Sequence, residues 1–458
     1  MASLRLGPRL MVAGTSSGVG KTSVATGLMA ALRRQGLRVG AAKVGPDYID
    51  PGFHALATGR PGRNLDAWMC GTDAISPLAA RASGGCDVLV VEGVMGLFDG
   101  AADGAAASTA DVARLLDAPV ILVVDVSSMS GSVAAVVHGF ATLDSRTRVD
   151  AVILNRVGSD GHETMLREAL APLGVPVVGV LRRDRRVAWP GRHLGLVPVD
   201  ERPSEIASTI DALAAFVAGG CDLEALMAIA RSASERSVPS PPSVWPDEAG
   251  TRRTPIALAA GPAFSFVYPD NLERLADAGA ELVAFDPASD PALPSGVAGL
   301  YAGGGFPEVF AEHLADNTPL LGDVRRKVAG GMVTWAECGG LLWLCQALDG
   351  HRMAGVIPAN AHMSEHLTLG YRRARLLADN PLAPIGTDLR GHEFHYSVVS
   401  PSGEALDLTG RFGSGRGGFA SLTMLASYLH LHLGADPTLA NAFVAAAARS
   451  RADVDQAG

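Results

Sequence analysis

Two short segments, one near each end of the chain, carry the residues that could do chemistry. Residues 14–22 read Gly-Thr-Ser-Ser-Gly-Val-Gly-Lys-Thr, a glycine-rich loop that ends in lysine and threonine. Between a strand and a helix, such a loop directs backbone N–H groups at phosphate oxygens. Residues 335–340 read Trp-Ala-Glu-Cys-Gly-Gly, which predicts a cysteine at a sharp strand-to-helix turn. Together the two segments indicate an enzyme that couples ATP cleavage to a cysteine-dependent step.

In the first segment, lysine and threonine have distinct expected roles. Lys21 would neutralise the β and γ phosphate oxygens, and the Thr22 hydroxyl would ligate Mg²⁺. Thr15, Gly18 and Gly20 would present the loop backbone to ATP. Thr15 stands where the common form of this motif has its first glycine, so the loop is a variant of that motif.

Polar residues follow several predicted strands, where parallel strands bring their carboxyl ends to one edge of the sheet. The acidic ones are Asp47, Asp50, Glu92 and Asp99. Any one of them could equally cap a loop, but together in a phosphate-binding domain they favour Mg²⁺ ligands, with Glu92 foremost. Lys43 is a second cation for ATP, and Asn155 either contacts adenine or holds a turn.

The second segment predicts a nucleophile with its assisting groups. Cys338 would sit at the N-terminus of a short helix, which would lower its thiol pKa. A glycine turn at residues 303–305 would bring the Gly304 N–H beside that of Gly339 to form an oxyanion hole. His430 would be the base, at the end of a strand whose period of two also puts His432 on the same face.

Composition limits the classes of function. The 458 residues carry a net charge of −9 with no basic cluster, which argues against a nucleic-acid surface. No apolar run is long enough for a membrane span, and five cysteines without metal-binding spacing fit reduced thiols. We therefore expect a cytoplasmic enzyme with small-molecule partners. The oligomeric state stays open, and a homodimer is possible.

Alternating apolar runs and helical stretches predict an α/β fold of two domains. A doubly wound parallel sheet is expected in residues 1–231, with strands at 10–13, 39–42, 88–91, 120–124, 152–154 and 175–180. A Ser- and Pro-rich linker follows at 232–254. A second α/β domain is expected at 255–448, with strands at 256–259, 282–285, 299–301, 332–335 and 424–430, before a polar tail at 449–458.

Several segments resemble one known family. Residues 42–52 read Ala-Lys-Val-Gly-Pro-Asp-Tyr-Ile-Asp-Pro-Gly, residues 59–66 read Gly-Arg-Pro-Gly-Arg-Asn-Leu-Asp, and residues 92–100 read Glu-Gly-Val-Met-Gly-Leu-Phe-Asp-Gly. With residues 13–28, they resemble the cobyrinic acid and hydrogenobyrinic acid a,c-diamide synthases over nearly the whole chain. The phosphate loop resembles the dethiobiotin synthetase-like P-loop group, and the surroundings of Cys338 resemble a class I glutamine amidotransferase domain.

The resemblance implies ATP- and glutamine-dependent amidation of the a and c carboxylates of a corrinoid in cobalamin biosynthesis. Cys338 would attack glutamine with help from His430, and the ammonia would move inside the protein to an acyl phosphate made with MgATP. The class I glutamine amidotransferase resemblance implies a Glu two residues after that histidine, but this chain has His432 there, which suggests a dyad. We expect residues 390–396 to form a wall of the site or an interface. The less favoured alternative is that His392 or His395 in this segment is catalytic.

The resemblance also implies substrate contacts. It implies that Asp47, Tyr48 and Ile49 lie near the corrinoid carboxylate, and that Asp47, Glu92 and Asp99 serve ATP and metal. Three arginines are corrinoid candidates by location only: Arg60, Arg63 and Arg192. Whether the corrinoid contains cobalt stays open, because the metal would lie far from the reacting carboxylates.

Two other functions are compatible with parts of the sequence. Cobyric acid synthase is a related P-loop amidotransferase, but the amino-acid sequences of residues 42–52 and 92–100 argue against it. A P-loop ATPase of the partitioning or metal-chaperone kind would have no use for Cys338 and His430.

Overall fold

The chain forms two units, Met1–Pro242 and Ser243–Gly458. The computed structural model describes residues 3–101, 104–184, 187, 189, 191–192, 195–196, 198–239, 253–411, 413–434 and 436–457. For residues 191–192, 195–196 and 452–457 only the backbone is described. The boundary between the units falls inside the segment predicted as a linker.

The first unit alternates strands and helices. Its elements are β1 Ser3–Leu6, β2 Arg9–Gly14, α1 Lys21–Arg34, β3 Val39–Val44, α2 Asp50–Thr58, β4 Arg63–Leu65, α3 Ala67–Cys70, α4 Thr72–Ala82, β5 Val88–Glu92, α5 Thr109–Leu116, β6 Val120–Asp125, α6 Ser132–Thr142, β7 Val149–Val157, α7 Asp160–Leu170, β8 Val177–Arg182, β9 Gly191–Arg192, β10 Gly195–Leu196, α8 Pro203–Gly220, α9 Leu223–Arg231 and β11 Arg236–Pro239.

A seven-stranded sheet in the order β4-β3-β5-β2-β6-β7-β8 forms the centre of this unit, and all its pairs are parallel. β2, β3 and β5 are buried along their whole length, which is why they read as continuous apolar runs. The parallel direction brings the carboxyl ends of β2, β3 and β5 to one edge. The predicted α/β architecture of this unit is confirmed.

A short antiparallel pair lies apart from the central sheet. β11 pairs with β1, with Leu6 opposite Arg236. Residues 236–239 fall within the segment expected to be a linker, so the start of that segment belongs to the first unit. The neighbouring residue Arg9 is fully buried and donates hydrogen bonds to backbone carbonyls of residues 7, 116 and 234.

The second unit contains two sheets. Its elements are β12 Thr254–Ala259, α10 Pro269–Asp277, β13 Ala280–Phe285, β14 Gly299–Ala302, α11 Ala311–Asp316, α12 Thr318–Ala329, β15 Val333–Glu337, α13 Gly339–Leu344, β16 Ala347–Leu348, β17 His351–Arg352, β18 Asn360–Leu376, β19 Asp388–Ser400, β20 Leu406–Gly410, β21 Gly413–Gly417, β22 Phe419–Ser421, β23 Met424–Ser427, β24 His430–Leu431 and α14 Pro437–Ala457.

The first of these sheets has the order β13-β12-β14-β15-β23-β22 and is parallel except for the pairing of β22 with β23. Alternate residues of its strands enter two separate cores. Trp335 of β15 packs in the core that contains Phe443 of α14, whereas Ala336 packs in the core that contains Trp343 of α13. The sheet is therefore covered by helices on both faces, and the α/β architecture predicted for this unit is confirmed.

The second sheet was not predicted. It is built on the long antiparallel pair β18 and β19 and takes in β16, β17, β20, β21 and β24. Many residues of β18 are exposed or half-buried, so the strand lacks a clear apolar alternation.

The single strand predicted at residues 424–430 is too long, because the structure divides this segment between two strands. β23 ends at Ser427, and His430 belongs to β24, which pairs with β19 in the second sheet. Two residues therefore separate strands that belong to different sheets. At the end of the chain, α14 continues through the segment that composition set apart as a tail.

Among the helices of the described residues, none is both long enough and apolar enough to cross a membrane.

Replacing Arg9 by methionine should destabilise the first unit. The guanidinium donates to the carbonyls of Gly7, Leu116 and Ser234 at 2.8, 2.6 and 2.9 Å, and methionine offers no donor to them. We expect the free energy of unfolding to fall by about 3 kcal/mol, measured by urea denaturation.

Arg5→Met is the matched control. Arg5 pairs with Glu235 at 2.5 Å, but its side chain is 74% exposed. We expect a change below about 0.5 kcal/mol, because exposed ion pairs contribute little. Equal losses in the two variants would contradict the role given to Arg9.

Candidate active sites of the two units

The glycine-rich loop joins β2 to α1 as predicted from its sequence. Gly20 caps α1 at φ 95°, in the left-handed region that glycine adopts without strain. The Lys21 ammonium donates to the Ser16 carbonyl at 2.9 Å, so the side chain lies along the loop. Burial, and then repulsion from Lys43, lowers the pKa of Lys21. A loop that holds a lysine in this way can surround a phosphate group.

A buried cluster of charged side chains lies at the carboxyl edge beside the loop. Lys43 Nζ donates to Asp50 Oδ2 at 2.6 Å and to Glu92 Oε1 at 2.7 Å. The Thr22 hydroxyl contacts the same two oxygens, at 3.3 Å for Asp50 and 2.6 Å for Glu92. The Lys43 ammonium and the Thr22 hydroxyl therefore share the same two carboxylate oxygens.

The charges of this cluster depend on each other. Burial opposes ionisation of Glu92, but the Lys43 ammonium and the hydrogen bond from His54 outweigh it and hold the pKa of Glu92 below its ordinary value. Burial, and then the charge of Asp47, raises the pKa of Asp50. Lys43 is buried too, yet the two carboxylates raise its pKa. The cluster thus keeps Lys43 and Glu92 charged in a site from which water is excluded.

These oxygens fit a magnesium ion. Mg²⁺ prefers oxygen ligands and commonly takes one or two carboxylates together with phosphate oxygens. Thr22, Asp50 and Glu92 offer such a set, because the hydroxyl lies within hydrogen-bond distance of one oxygen of each carboxylate. Within the part of the chain that the structure describes, no group of three or more His, Cys, Asp or Glu side chains could hold a metal. A site here would therefore depend on the nucleotide for its remaining ligands.

Asp47 and Asp99, both predicted as metal ligands, make other contacts in the structure. Asp47 Oδ1 accepts the backbone N–H groups of Ile49 and Asp50 at 2.8 and 3.0 Å and so caps the start of α2. Asp99 Oδ2 accepts the Gly96 N–H at 2.8 Å. Asp50, rather than Asp47, is the aspartate in the cluster.

His54 is a member of the cluster that our sequence reasoning missed. Its ring is fully buried, and Nε2 lies 2.7 Å from Glu92 Oε2, the oxygen that Lys43 does not contact. Asp50 and His54 are four residues apart on α2, so they share one face of the helix. That spacing was the signal available in the sequence.

A cavity of about 260 Å³ adjoins the phosphate loop. It is lined by Gly20, Val24, Asn155, Trp189 and Phe216, among others. Asn155 Nδ2 donates to the Val19 carbonyl at 2.8 Å, so this amide also fastens the loop. Its lining combines these apolar side chains and the Asn155 amide with charged residues, Arg156, Arg182, Arg183 and Asp184. Adenine binding by Asn155 stays a prediction.

The residues expected near a corrinoid lie on the connection from β3 to α2. Asp47, Tyr48 and Ile49 are half-buried, and Asn64 holds their loop by donating to the carbonyls of Gly45 and Asp47 at 2.8 and 2.7 Å.

The three candidate arginines differ in their surroundings. Arg60 donates to the Gly84 carbonyl at 2.7 Å, and Arg63 is buried. The side chain of Arg192 lies outside the described residues. For all three arginines, contact with a corrinoid stays a prediction.

Cys338 lies at a strained turn between β15 and α13. Its φ of 47° and ψ of −101° are rare for a residue other than glycine. The backbone is fixed on both sides, since the Cys338 N–H donates to Ser427 at 2.8 Å and the Gly340 N–H donates to Gly303 at 2.9 Å. The turn holds the side chain at the end of a parallel strand, where a nucleophile is accessible to a reacting carbonyl.

The glycine turn after β14 packs closely against this elbow. A Cβ atom on Gly339 would lie 3.0 Å from the Gly305 nitrogen. The Gly304 N–H donates to the Phe266 carbonyl at 3.1 Å, so the amide that we expected in the oxyanion hole is already used. Within the described residues, the N–H of Gly305 makes no such backbone hydrogen bond.

His430 is brought to the same place from the second sheet. A Cβ atom on Gly304 would lie 2.4 Å from His430 Cε1, so only glycine leaves room for the ring. His392 is its partner in the pairing of β19 with β24. His432 lies beyond the strand, with its ring centroid 4.7 Å from that of Tyr268.

Burial decides the protonation of this site. It raises the pKa of the Cys338 thiol, with a further contribution from Glu308, although the Gly339 N–H acts in the opposite sense. Our expectation of a lowered thiol pKa is therefore wrong for the free enzyme, because α13 is too short to offset burial. Burial and two neighbouring histidines lower the pKa of His430 to about 3, which leaves its imidazole neutral.

Two further predictions concern the neighbours of Cys338. Its Sγ lies 3.7 Å from the Phe394 carbonyl of β19, so the segment 390–396 lines the site. His395 stacks on Tyr428 at 3.6 Å. Cys345, predicted to be structural, is fully buried with its pKa raised to about 12 by burial.

The chain is similar to known families in both units. Residues 10–197 match the family model described as CobQ/CobB/MinD/ParA nucleotide binding domain. Residues 255–438 match the model described as CobB/CobQ-like glutamine amidotransferase domain. The phosphate loop falls in the first range, and Cys338 and His430 fall in the second.

Relatives are also similar over nearly the whole chain. A hydrogenobyrinate a,c-diamide synthase of Streptomyces coelicolor is 52% identical, covering 95% of this chain and 97% of the relative. One of Thermobifida fusca is 46% identical, covering 97% and 98%. A cobyrinate a,c-diamide synthase of Dehalococcoides mccartyi is 41% identical, covering 95% and 97%.

The raised thiol pKa predicts slow alkylation of Cys338 in the absence of substrate. A free cysteine has a pKa of about 8.5, so a thiol with a higher pKa holds less thiolate at pH 7.5. We expect iodoacetamide to modify Cys338 more slowly than it modifies a free thiol, with a rate that still rises above pH 9. Mass spectrometry of the Cys338 peptide, assigned with Cys338→Ser, measures this. A rate that levels off near pH 7 would contradict it.

Proposed function

The chain belongs to the family of hydrogenobyrinate and cobyrinate a,c-diamide synthases, and on that premise we propose that it amidates the a and c side-chain carboxylates of hydrogenobyrinic acid. It is an enzyme, a glutamine-dependent ligase with a nucleotide-binding unit. ATP activates each carboxylate, and glutamine supplies the ammonia. Each amidation consumes one ATP and one glutamine.

One observation supports this function above the others. A cysteine at a strained elbow, with a neutral histidine against the glycine turn that packs on that elbow, occurs in the same chain as a phosphate loop with a buried carboxylate cluster. A nucleotide-driven partitioning ATPase has no use for the first of these. The presence of both is what a glutamine-dependent synthetase requires.

In the second unit, the proposed reaction is glutamine hydrolysis. Cys338 attacks the side-chain amide carbon while His430, neutral before the reaction, accepts the thiol proton and passes it to the leaving ammonia. The N–H of Gly339, which already faces the sulfur, and the N–H of Gly305 would stabilise the oxyanion. Water then hydrolyses the thioester to glutamate.

In the first unit, the proposed reaction is phosphoryl transfer followed by amide formation. Thr15, Gly18 and Gly20 bind the phosphates through the loop, and Lys21 neutralises their charge. Lys43 is buried against two carboxylates and is the second cation available to the transferred phosphoryl group. A corrinoid carboxylate attacks that group and becomes an acyl phosphate, from which ammonia displaces phosphate.

We propose Thr22, Asp50 and Glu92 as the residues that hold Mg²⁺. An ion held by these residues would neutralise negative charge on the phosphates of ATP. The closeness of these three side chains to one another supports this set over one containing Asp47 and Asp99. Asp47 acts through the loop that carries Tyr48 and Ile49, which we propose as corrinoid contacts.

The cobalt-free substrate is favoured by the relatives. Five relatives named for hydrogenobyrinate are 45–52% identical to this chain, whereas three named for cobyrinate are 41–42% identical. Use of ATP and glutamine also supports a cytoplasmic location. A homodimer stays a prediction, to be checked by sedimentation.

Ammonium salts should separate the two reactions. We expect Cys338→Ser to lose glutamine-dependent amidation by at least about 1,000-fold, because the nucleophile is absent, yet to form the diamide when ammonium chloride is supplied. Lys21→Ala should lose both activities. Mass spectrometry of the corrinoid product measures each. Persistent glutaminase activity in Cys338→Ser, or no corrinoid-dependent ATP hydrolysis in the wild type, would contradict the proposed function.

The metal site is tested by comparing Asp50, the first residue of α2, with Asp47, three residues before it. Asp50→Asn should weaken Mg²⁺ binding, titrated calorimetrically with a non-hydrolysable ATP analogue, by at least about 10-fold. Asp47→Asn, which keeps an oxygen for the backbone, should change it less than about 3-fold. Equal losses would return Asp47 to the metal site.

A further inference from the structure

Glu337, the residue directly before the nucleophile, is buried and bonded to the segment that carries the base. Its side chain is 1% exposed. Oε2 accepts the Tyr301 hydroxyl at 2.9 Å, and Oε1 accepts the Leu431 N–H at 2.8 Å. The residue before Cys338 is thus joined directly to the residue after His430.

Asn271 holds the same segment from the other side. It is fully buried on α10, its Nδ2 donates to the Leu431 carbonyl at 2.7 Å, and its Oδ1 accepts the Leu433 N–H at 2.7 Å. β24 is only two residues long, so few ladder bonds hold it. Side chains therefore supply the hydrogen bonds that a longer strand would obtain from its neighbours.

His432 stands where the resemblance places a glutamate, two residues after His430. Its Nδ1 accepts the Gly434 N–H at 3.1 Å, and its ring packs beside Tyr268. An imidazole must nevertheless be held in one orientation to act as a base. The bonds to Leu431 and Leu433 fix the backbone on which that orientation depends.

We propose that Glu337 is a positioning residue for glutamine hydrolysis. With Tyr301 and Asn271 it fixes the backbone of Leu431 and so holds His430 beside Cys338. This rests on the proposed function, since it concerns the thiol-dependent step of that reaction. Because Glu337 ends β15 and Cys338 follows it directly, one strand end positions the nucleophile and, through Leu431, the segment that carries its base.

The chemistry of the carboxyl group suggests its closest substitute. Burial raises the pKa of Glu337 to about 8, although the bonds from Leu431 and Tyr301 act in the opposite sense. At pH 7 the group is therefore mostly neutral. A glutamine has the same shape, can accept the Leu431 N–H and can donate to the Tyr301 oxygen.

Three variants of the full chain test the proposal. We expect Glu337→Ala to lower kcat for glutamine hydrolysis by about 100-fold, with KM within about 2-fold, because a misplaced base impairs the reaction rather than binding. Glu337→Gln should retain kcat within about 5-fold. Tyr301→Phe removes one of the two bonds and should fall between them.

A double mutant separates positioning from general damage. If Glu337 acts through His430, adding Glu337→Ala to His430→Ala should lower kcat by less than about 3-fold further. Independent effects would multiply to a further loss of about 100-fold, which would overturn the proposal. If Glu337→Ala is insoluble, Tyr301→Phe paired with His430→Ala gives the same comparison.

Asp323→Ala is the matched control. Asp323 is another buried carboxylate of the same unit and also accepts a backbone N–H, from Leu293 at 3.0 Å. It should lower the melting temperature while leaving kcat within about 2-fold. An equal kcat loss in Asp323→Ala, or equal losses in Glu337→Ala and Glu337→Gln, would overturn the role of Glu337.

Two controls keep this test distinct from that of the function itself. Amidation supported by ammonium chloride should stay unchanged in all Glu337 variants. Normal glutamine hydrolysis in Glu337→Ala overturns only the positioning role, provided that Cys338→Ser is inactive. Activity that survives in Cys338→Ser overturns the proposed function as well.

Discussion

Removal of charged groups from water is the constraint on which both sites depend. In the first unit, Lys43 lies between Asp50 and Glu92, and opposite charges at hydrogen-bond distance keep the ammonium and Glu92 ionised despite burial. In the second unit burial is the largest influence on Cys338 and His430, so both are neutral before the reaction. The first site is thus prepared for a highly charged substrate, and the second for an uncharged amide.

Close backbone approach is the second requirement, and it explains why glycine is needed at specific positions. A Cβ on Gly340 would lie 2.2 Å from the Ala302 carbonyl, and one on Gly304 would overlap the His430 ring. Without glycine at both places, the elbow at Cys338, the turn after β14 and the base could not occupy one small volume. The strained φ of Cys338 is held because its neighbours are fixed by hydrogen bonds on both sides.

Local motifs could be interpreted from the sequence because their chemistry lies in consecutive residues. The loop that ends in Lys21 and Thr22, and the turn at Cys338, are of this kind. Asp50 and His54 lie four residues apart on α2, just after β3. Predicting both would have required this helical spacing as well as the position after a strand, and our prediction rested on the position alone. The use of the Gly304 amide by Phe266, and the effect of burial on Cys338, arise from tertiary packing and have no local signal. The second sheet was missed because β18 lacks an apolar alternation.

The two-residue connection between β23 and β24 has a consequence for how such enzymes can diverge. The Ser427 carbonyl accepts the N–H of Cys338, and His430 is the first residue of β24 in the other sheet. The two residues between them therefore fix the distance between the two sheets at this point. An insertion or deletion of one residue there would shift the base relative to the thiol. We expect changes of length to be tolerated better in the turn between β18 and β19, at residues 377–387, which lies outside the segments that carry Cys338 and His430.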